Sequence, residues 1–383
     1  MAPHTLGVAK ATILVALIIA VLAVSLVAGL VSYPSRTILS TTTITTEEYA
    51  TTLTATASAT VTQTVAQSTI VGAPSIGAIT VGNISIGKSL WGLAVNPSTN
   101  EIYATNSDFN VISVITNNVT TVPVQGGSLY VAVNPKTNLV YVNNDSCGPC
   151  TQSISVISGS TDKVVGGINL GTYVDGIAVD PATDMIYASS ADSDSLFIIN
   201  GVTDALVANV ALPGSAMMVA VNPSTNTVYV PICTTTFVCA PAFVLAISGS
   251  SHAILSKVPI DLPFAISVDS QSNMIYVTTA QNLLVGINGN TNKVTDTKLS
   301  AFSLQCRGVD VNSASDEIYV SCSAQQGLPS FFIVDGSNSN ILNSFVDNGS
   351  PMGVAFDSGN GMIYLAHSNG YVLVLKSTQI LLP

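Results

Sequence analysis

Six cysteines are the residues of this 383-residue chain whose spacing most invites covalent chemistry. They stand as Cys147-Gly-Pro-Cys150, as Cys233 with Cys239, and as Cys306 with Cys322. An even count, in a domain expected outside the cytoplasm, reads as disulfides. The pairs expected are 147–150, 233–239 and 306–322. In the last, registry around the turn Ser313–Asp316 places the two residues nearly opposite each other on antiparallel strands. Zinc is a poor fit, because the pairs lie in separate repeats and the second pair lacks the two-residue spacing of a zinc ligand pair.

Acid–base chemistry is thinly provided. The chain has three histidines, His4, His252 and His367, which fall in different parts of it. No Gly-x-Ser-x-Gly elbow, His-Glu-x-x-His or phosphate-binding loop occurs. Asp192-Ser-Asp194 lacks the further oxygen ligands of a calcium loop and reads as a solvated turn. No metal or cofactor is expected. Ten Lys and Arg against a net charge of −11 exclude the basic footprint that nucleic acid requires.

The elements that position these residues repeat. Tyr103, Tyr141, Tyr187, Tyr229, Tyr276, Tyr319 and Tyr364 recur at a mean spacing of about 43 residues, the period of propellers and solenoids. Each copy has an apolar run, an Asn or Asp followed by Pro or Ser, a short polar turn, and a second run centred on the Tyr. In the fourth copy the strands expected are Met218–Asn222, Thr227–Ile232, Phe243–Ser248 and Ala253–Ile260 (a to d). The link Asn222-Pro-Ser-Thr-Asn226 reads as a tight hairpin. A Gly after strand c, as at Gly159, Gly201, Gly249, Gly289 and Gly336, reads as the second hairpin signal. Near-continuous apolar runs imply burial on both faces. The expectation is all-β: a seven-bladed β-propeller of four-stranded antiparallel blades over 76–383. A spare strand at 78–86 would close the ring on the last blade.

Ala94-Val-Asn-Pro97 with Ile102-Tyr-Ala-Thr-Asn106, Ala132-Val-Asn-Pro135 with Val140-Tyr-Val-Asn-Asn144, and Ile275-Tyr-Val-Thr-Thr279 resemble the YVTN-type β-propeller repeats of archaeal and bacterial surface proteins. The likeness covers about 78–383. It implies a propeller at the cell surface, and propellers serve many roles. Seven-bladed lactonases are similar in fold and phrasing, which keeps hydrolysis as the alternative. Cys147-Gly-Pro-Cys150 also resembles the thioredoxin active-site motif, but it lies in a strand-to-strand loop with no helix N-terminus to lower a thiol pKa. A structural staple is expected there.

Just before strand a, at the mouth of the central channel, the aligned residues are Trp91, Leu129, Asp175, Met217, Phe264, Arg307 and Met352. The framework repeats and this position does not. Trp91 (the sole Trp), Asp175, Phe264 and Arg307 are the candidate ligand-binding residues, a mixed aromatic and charged ring suited to a sugar or peptide. The alternative is that they only cap the channel. Asp310 stands where the other blades have Ala or Ser, and burial there demands a hydrogen-bond partner, expected through Arg307.

Upstream, residues 1–10 read as a short cytoplasmic segment. Residues 11–33 are uncharged and long enough for a transmembrane helix or signal anchor, and 34–75 are a Ser/Thr-rich stalk. Partners expected are the membrane, through 11–33, and protein or glycan at the surface. Glycosylation candidates are Asn118, Asn144 and Asn348; Asn83 falls in the closing strand and fits a glycan poorly. The function expected is a membrane-anchored, extracytoplasmic, non-catalytic binding module. A solute binder or filament subunit is the third reading.

Overall fold

The computed structural model describes residues 75–380 apart from 109, 145–151, 235–238, 301–303, 326 and 348. The anchor at 11–33, nearly all of the stalk, the Cys147–Cys150 pair and Asn348 lie outside the described residues. Among the described residues no helix is long and apolar enough to cross a membrane.

Among the described residues twenty-eight strands form seven four-stranded antiparallel sheets. Blades I to VI occupy residues 90–123, 131–168, 176–211, 220–259, 263–298 and 305–346 in chain order. Blade VII takes three strands from 351–380 and its outermost strand, Ser75–Ser85, from the start of the domain. That strand pairs antiparallel with Tyr371–Ile380, which is the closure the sequence predicts. Each innermost strand packs on the next, and that of blade VII packs on that of blade I, so the ring is complete. Apolar clusters fill the seams between neighbouring blades. Tyr103, Tyr141, Tyr187 and Tyr319 are fully buried in them.

The a–b turn does more than reverse the chain. In all seven blades its first residue (Asn96, Asn134, Asp180, Asn222, Asp269, Asn312, Asp357) accepts the N–H two residues on at 2.8–3.1 Å. This is the Asx turn that Asn and Asp favour. The last residue of the turn is left-handed: Asn100, Asn138, Asp184, Asn226, Asn273, Asp316 and Gly361 have φ between 48° and 73°. Three of the leading Asn also donate their amide to the last turn residue of the next blade: Asn96 to Asn138, Asn134 to Asp184 and Asn222 to Asn273, at 2.7, 3.1 and 2.7 Å. The turn is therefore a clasp between blades as well as a hairpin.

The glycine after strand c has a different cause from the one expected. At Gly159, Gly249 and Gly336 the backbone is not left-handed. A Cβ there would run first into the side-chain oxygen of the last a–b turn residue of its own blade, Asn138, Asn226 or Asp316, and would also stand 2.6, 2.7 and 2.6 Å from the hydroxyls of Tyr103, Tyr187 and Tyr276 of the preceding blade. The turn residue and the repeated tyrosine together keep those positions glycine.

Candidate functional site

The candidate mouth residues are set at the start of strand a by two devices. In blades I, V, VI and VII, strand a carries a bulge at Trp91, Phe264, Arg307 and Met352. Pairing skips from Leu90 to Leu93, Pro263 to Ile266, Cys306 to Gly308 and Pro351 to Gly353. A bulge re-aims the side chain it carries. In blades II, III and IV, Leu129, Asp175 and Met217 instead precede a strand a that begins later.

The backbone beneath the mouth is tied from blade to blade. Thr105 Oγ1 accepts the Gly92 N–H at 2.7 Å and donates to the Leu129 carbonyl at 3.1 Å. Asn143 accepts from the N–H groups of Leu129 and Tyr130 and donates to the Val174 carbonyl, all at 2.9 Å. Thr278 accepts from Ala265 N–H at 3.1 Å and donates to the Cys306 carbonyl at 2.9 Å. Inner strands also approach closely at Gly353, where a Cβ would lie 2.5 Å from the Trp91 carbonyl oxygen. These ties went unread in the sequence. Their signal is the polar residue two places after the repeated Tyr in those blades (Thr105, Asn143, Thr278).

On this frame three of the four candidates converge. The Arg307 guanidinium carbon lies 4.9 Å from the Trp91 ring centroid and 5.6 Å from that of Phe264. Three blades (I, V and VI) thus supply one aromatic–cation–aromatic cluster, within the range of cation–π attraction. Arg307 also donates from Nη2 to Gln305 Oε1 at 2.7 Å. All three cluster residues are half-buried. The fourth candidate, Asp175, is engaged in its own blade: its carboxylate accepts the Ala191 N–H at 2.7 Å, and its own N–H donates to the Ser189 carbonyl at 2.8 Å. Met217 is exposed and Met352 is buried.

Asp310 has its partners, but not the one expected. Its carboxylate accepts from Phe356 N–H of blade VII at 2.7 Å, from Val311 N–H at 2.9 Å, and from Ser267 Oγ of blade V at 3.4 Å. One side chain therefore ties three innermost strands, and Arg307 takes no part. Burial outweighs these bonds and pushes the carboxyl up to about 6.

The mouth end holds one cluster that sequence reading missed. His367, fully buried, lies with Nε2 3.1 Å from Asp347 Oδ2 and stacks on Tyr371 at 4.1 Å between ring centroids. Burial would raise the Asp347 carboxyl, yet the His367 contact and the Gly349 N–H hold it below the usual carboxylate range. Blade VII has His where the residue three after the repeated Tyr is elsewhere Asn, Ser, Ile, Thr or Cys, which is the available signal.

The disulfides Cys233–Cys239 and Cys306–Cys322 are formed, the latter between residues directly opposite in strands a and b of blade VI. Both sit at the mouth end. Asn118 is exposed in the c–d turn of blade I. Asn144 is a correction. It is fully buried, its amide nitrogen donates to the Gln152 carbonyl at 3.0 Å, and its oxygen accepts from Ser155 Oγ at 3.0 Å. A glycan there would have to break both bonds; the side chain staples the corner instead. Among the described residues no group of three His, Cys, Asp or Glu is placed to hold a metal ion. At the opposite end, a cavity of about 450 Å³ opens between blades VII and I, lined by Ile84, Asn100, Thr116, Asn360 and Tyr364 among others.

No family model and no curated protein matches the sequence. Among solved structures, a chain of Kuenenia stuttgartiensis hydrazine synthase is similar at a TM-score of 0.65 and 16% identity, covering 79% of this chain and all of that one. In all 1760 solved chains match, so the fold is shared by too many proteins to carry a function with it.

Proposed function

We propose that this chain is a membrane-tethered, cell-surface binding propeller with YVTN-type repeats, held off the membrane by its Ser/Thr-rich stalk and without catalytic activity of its own. Its ligand, a protein or glycan, docks at the channel mouth. The observation that carries the reading is the convergence of Trp91, Arg307 and Phe264 from three blades at a position where the repeats diverge. Binding sites place aromatic surface and a few polar groups on a rigid scaffold, and the tied inner strands supply that scaffold.

Lactonase-like hydrolysis is the second reading, favoured by the carboxylate of Asp310 with its raised pKa in the innermost strand of blade VI. Its three accepted hydrogen bonds suit a structural tie better than a general base. The test is the full chain, purified with its N-terminal segment, applied to arrays of glycans and surface peptides and assayed with a series of lactones. Retention of a defined glycan or peptide that Trp91→Ala abolishes supports the proposal. Lactone turnover that disappears in Asp310→Asn or Arg307→Ala overturns it.

A further inference from the structure

We infer that the mouth selects an acidic saccharide, a pyranose bearing a carboxylate, with Arg307 as the selecting residue. The inference rests on the reading of the mouth as the binding site and adds the class of ligand. Charge is the first ground. The chain has ten Lys and Arg in all and a net charge of −11, so its long-range field repels anions. An arginine at the mouth, where the other six blades carry Trp, Leu, Asp, Met, Phe and Met, supplies a local cation against that field.

Geometry is the second ground. The guanidinium carbon lies over the Trp91 and Phe264 rings, 4.9 and 5.6 Å from their centroids. A guanidinium binds a carboxylate by two parallel hydrogen bonds from its N–H fork. Of the five N–H donors an arginine offers, Gln305 takes one from Nη2. The rings hold the fork in place, so less side-chain freedom is lost on binding.

The composition of the site favours a sugar over a peptide. The mouth carries two half-buried aromatic rings flanking one half-buried arginine. Aromatic faces with one forked cation between them suit the C–H face and carboxylate of a uronic acid.

Trp91 is the sole Trp, so its fluorescence reports this site alone. The full chain is titrated with trigalacturonate, neutral trigalactose, a sulfated trigalactose and a short acidic peptide. The expected result is a shift in Trp91 emission with trigalacturonate bound about tenfold or more tighter than trigalactose. The preference should fall with added salt, vanish in Arg307→Gln and be weakened in Arg307→Lys, with melting temperature unchanged in both. Equal affinity for the neutral and acidic trisaccharides overturns the inference while leaving the mouth as a binding site. Tighter binding of the sulfated sugar or the peptide, or a preference that survives Arg307→Gln, also overturns it. No response to any probe overturns both the inference and the site.

Discussion

Asp310 replaces the Ala or Ser that the other six blades carry at that place in strand a, and its hydrogen bonds reach into blades V and VII. Burial lifts its carboxyl to about 6, above the value of about 4 expected in an unfolded chain. The folded state then binds the proton more tightly. The stability this group adds is complete below the unfolded pKa and is lost as pH rises through about 6. Urea unfolding of the wild type and Asp310→Asn at pH 7 and pH 4.5 should show the wild type gaining on the variant at the lower pH; parallel profiles would contradict the account. Gly249 gives a second test at this scale. A Cβ there would run into Asn226 Oδ1 and stand 2.7 Å from the Tyr187 hydroxyl, so Gly249→Ala should cost about 1–3 kcal/mol, and adding Asn226→Gly should recover part of it. Legibility at the residue scale follows repetition. Trp91, Phe264 and Arg307 could be singled out because everything around them repeats. Asp175 could not be excluded, because nothing in a sequence shows that its carboxylate caps the Ala191 N–H. The His367 cluster is not legible in sequence, because its partner Asp347 belongs to the connection out of the preceding blade.

Strands were the most readable elements, since two apolar faces and Asn-Pro turns mark them directly. In the fourth blade strand b, expected at Thr227–Ile232, runs Thr227–Cys233, and strand c, expected at Phe243–Ser248, runs Ala242–Ser248. Strand a of that blade is shorter than expected, Ala220–Asn222, with Ser215 instead bridging separately to Cys233. Bulges were not readable: alternation has a period of two, and one added residue in an apolar run leaves no mark on it. Yet the bulges present four of the seven mouth residues. The closing strand Ser75–Ser85 belongs to this scale as well. Its pairing with Tyr371–Ile380 joins the first segment of the domain to the last, so removing it opens the ring and exposes an edge. Deletion of 75–85 should lower the melting temperature far more than deletion of 37–69, measured by circular dichroism on both truncations. Equal melting would show that closure lies elsewhere.

Taken whole, the molecule separates a scaffold that repeats from a rim that does not. Tyr hydroxyls, Asx turns and blade-to-blade amide bonds recur around the ring and act together on stability. Such contacts, being close-packed and buried, tolerate little change. The mouth residues sit on half-exposed ground above them and can vary without loss of the core. This is why the fold was legible almost throughout the described residues and the ligand was not: the fold is written seven times and the rim once. The separation is tested most directly by measuring binding and melting together in two variants of the full chain. With whichever glycan or peptide the wild type retains, Trp91→Ala should abolish binding and leave the melting temperature within a few degrees of wild type. Tyr103→Ala, which empties a fully buried seam position, should lower melting sharply, by a cost of about 3–5 kcal/mol, while the folded fraction keeps its affinity. Loss of affinity in the folded Tyr103 variant, or full binding by Trp91→Ala, would contradict the account.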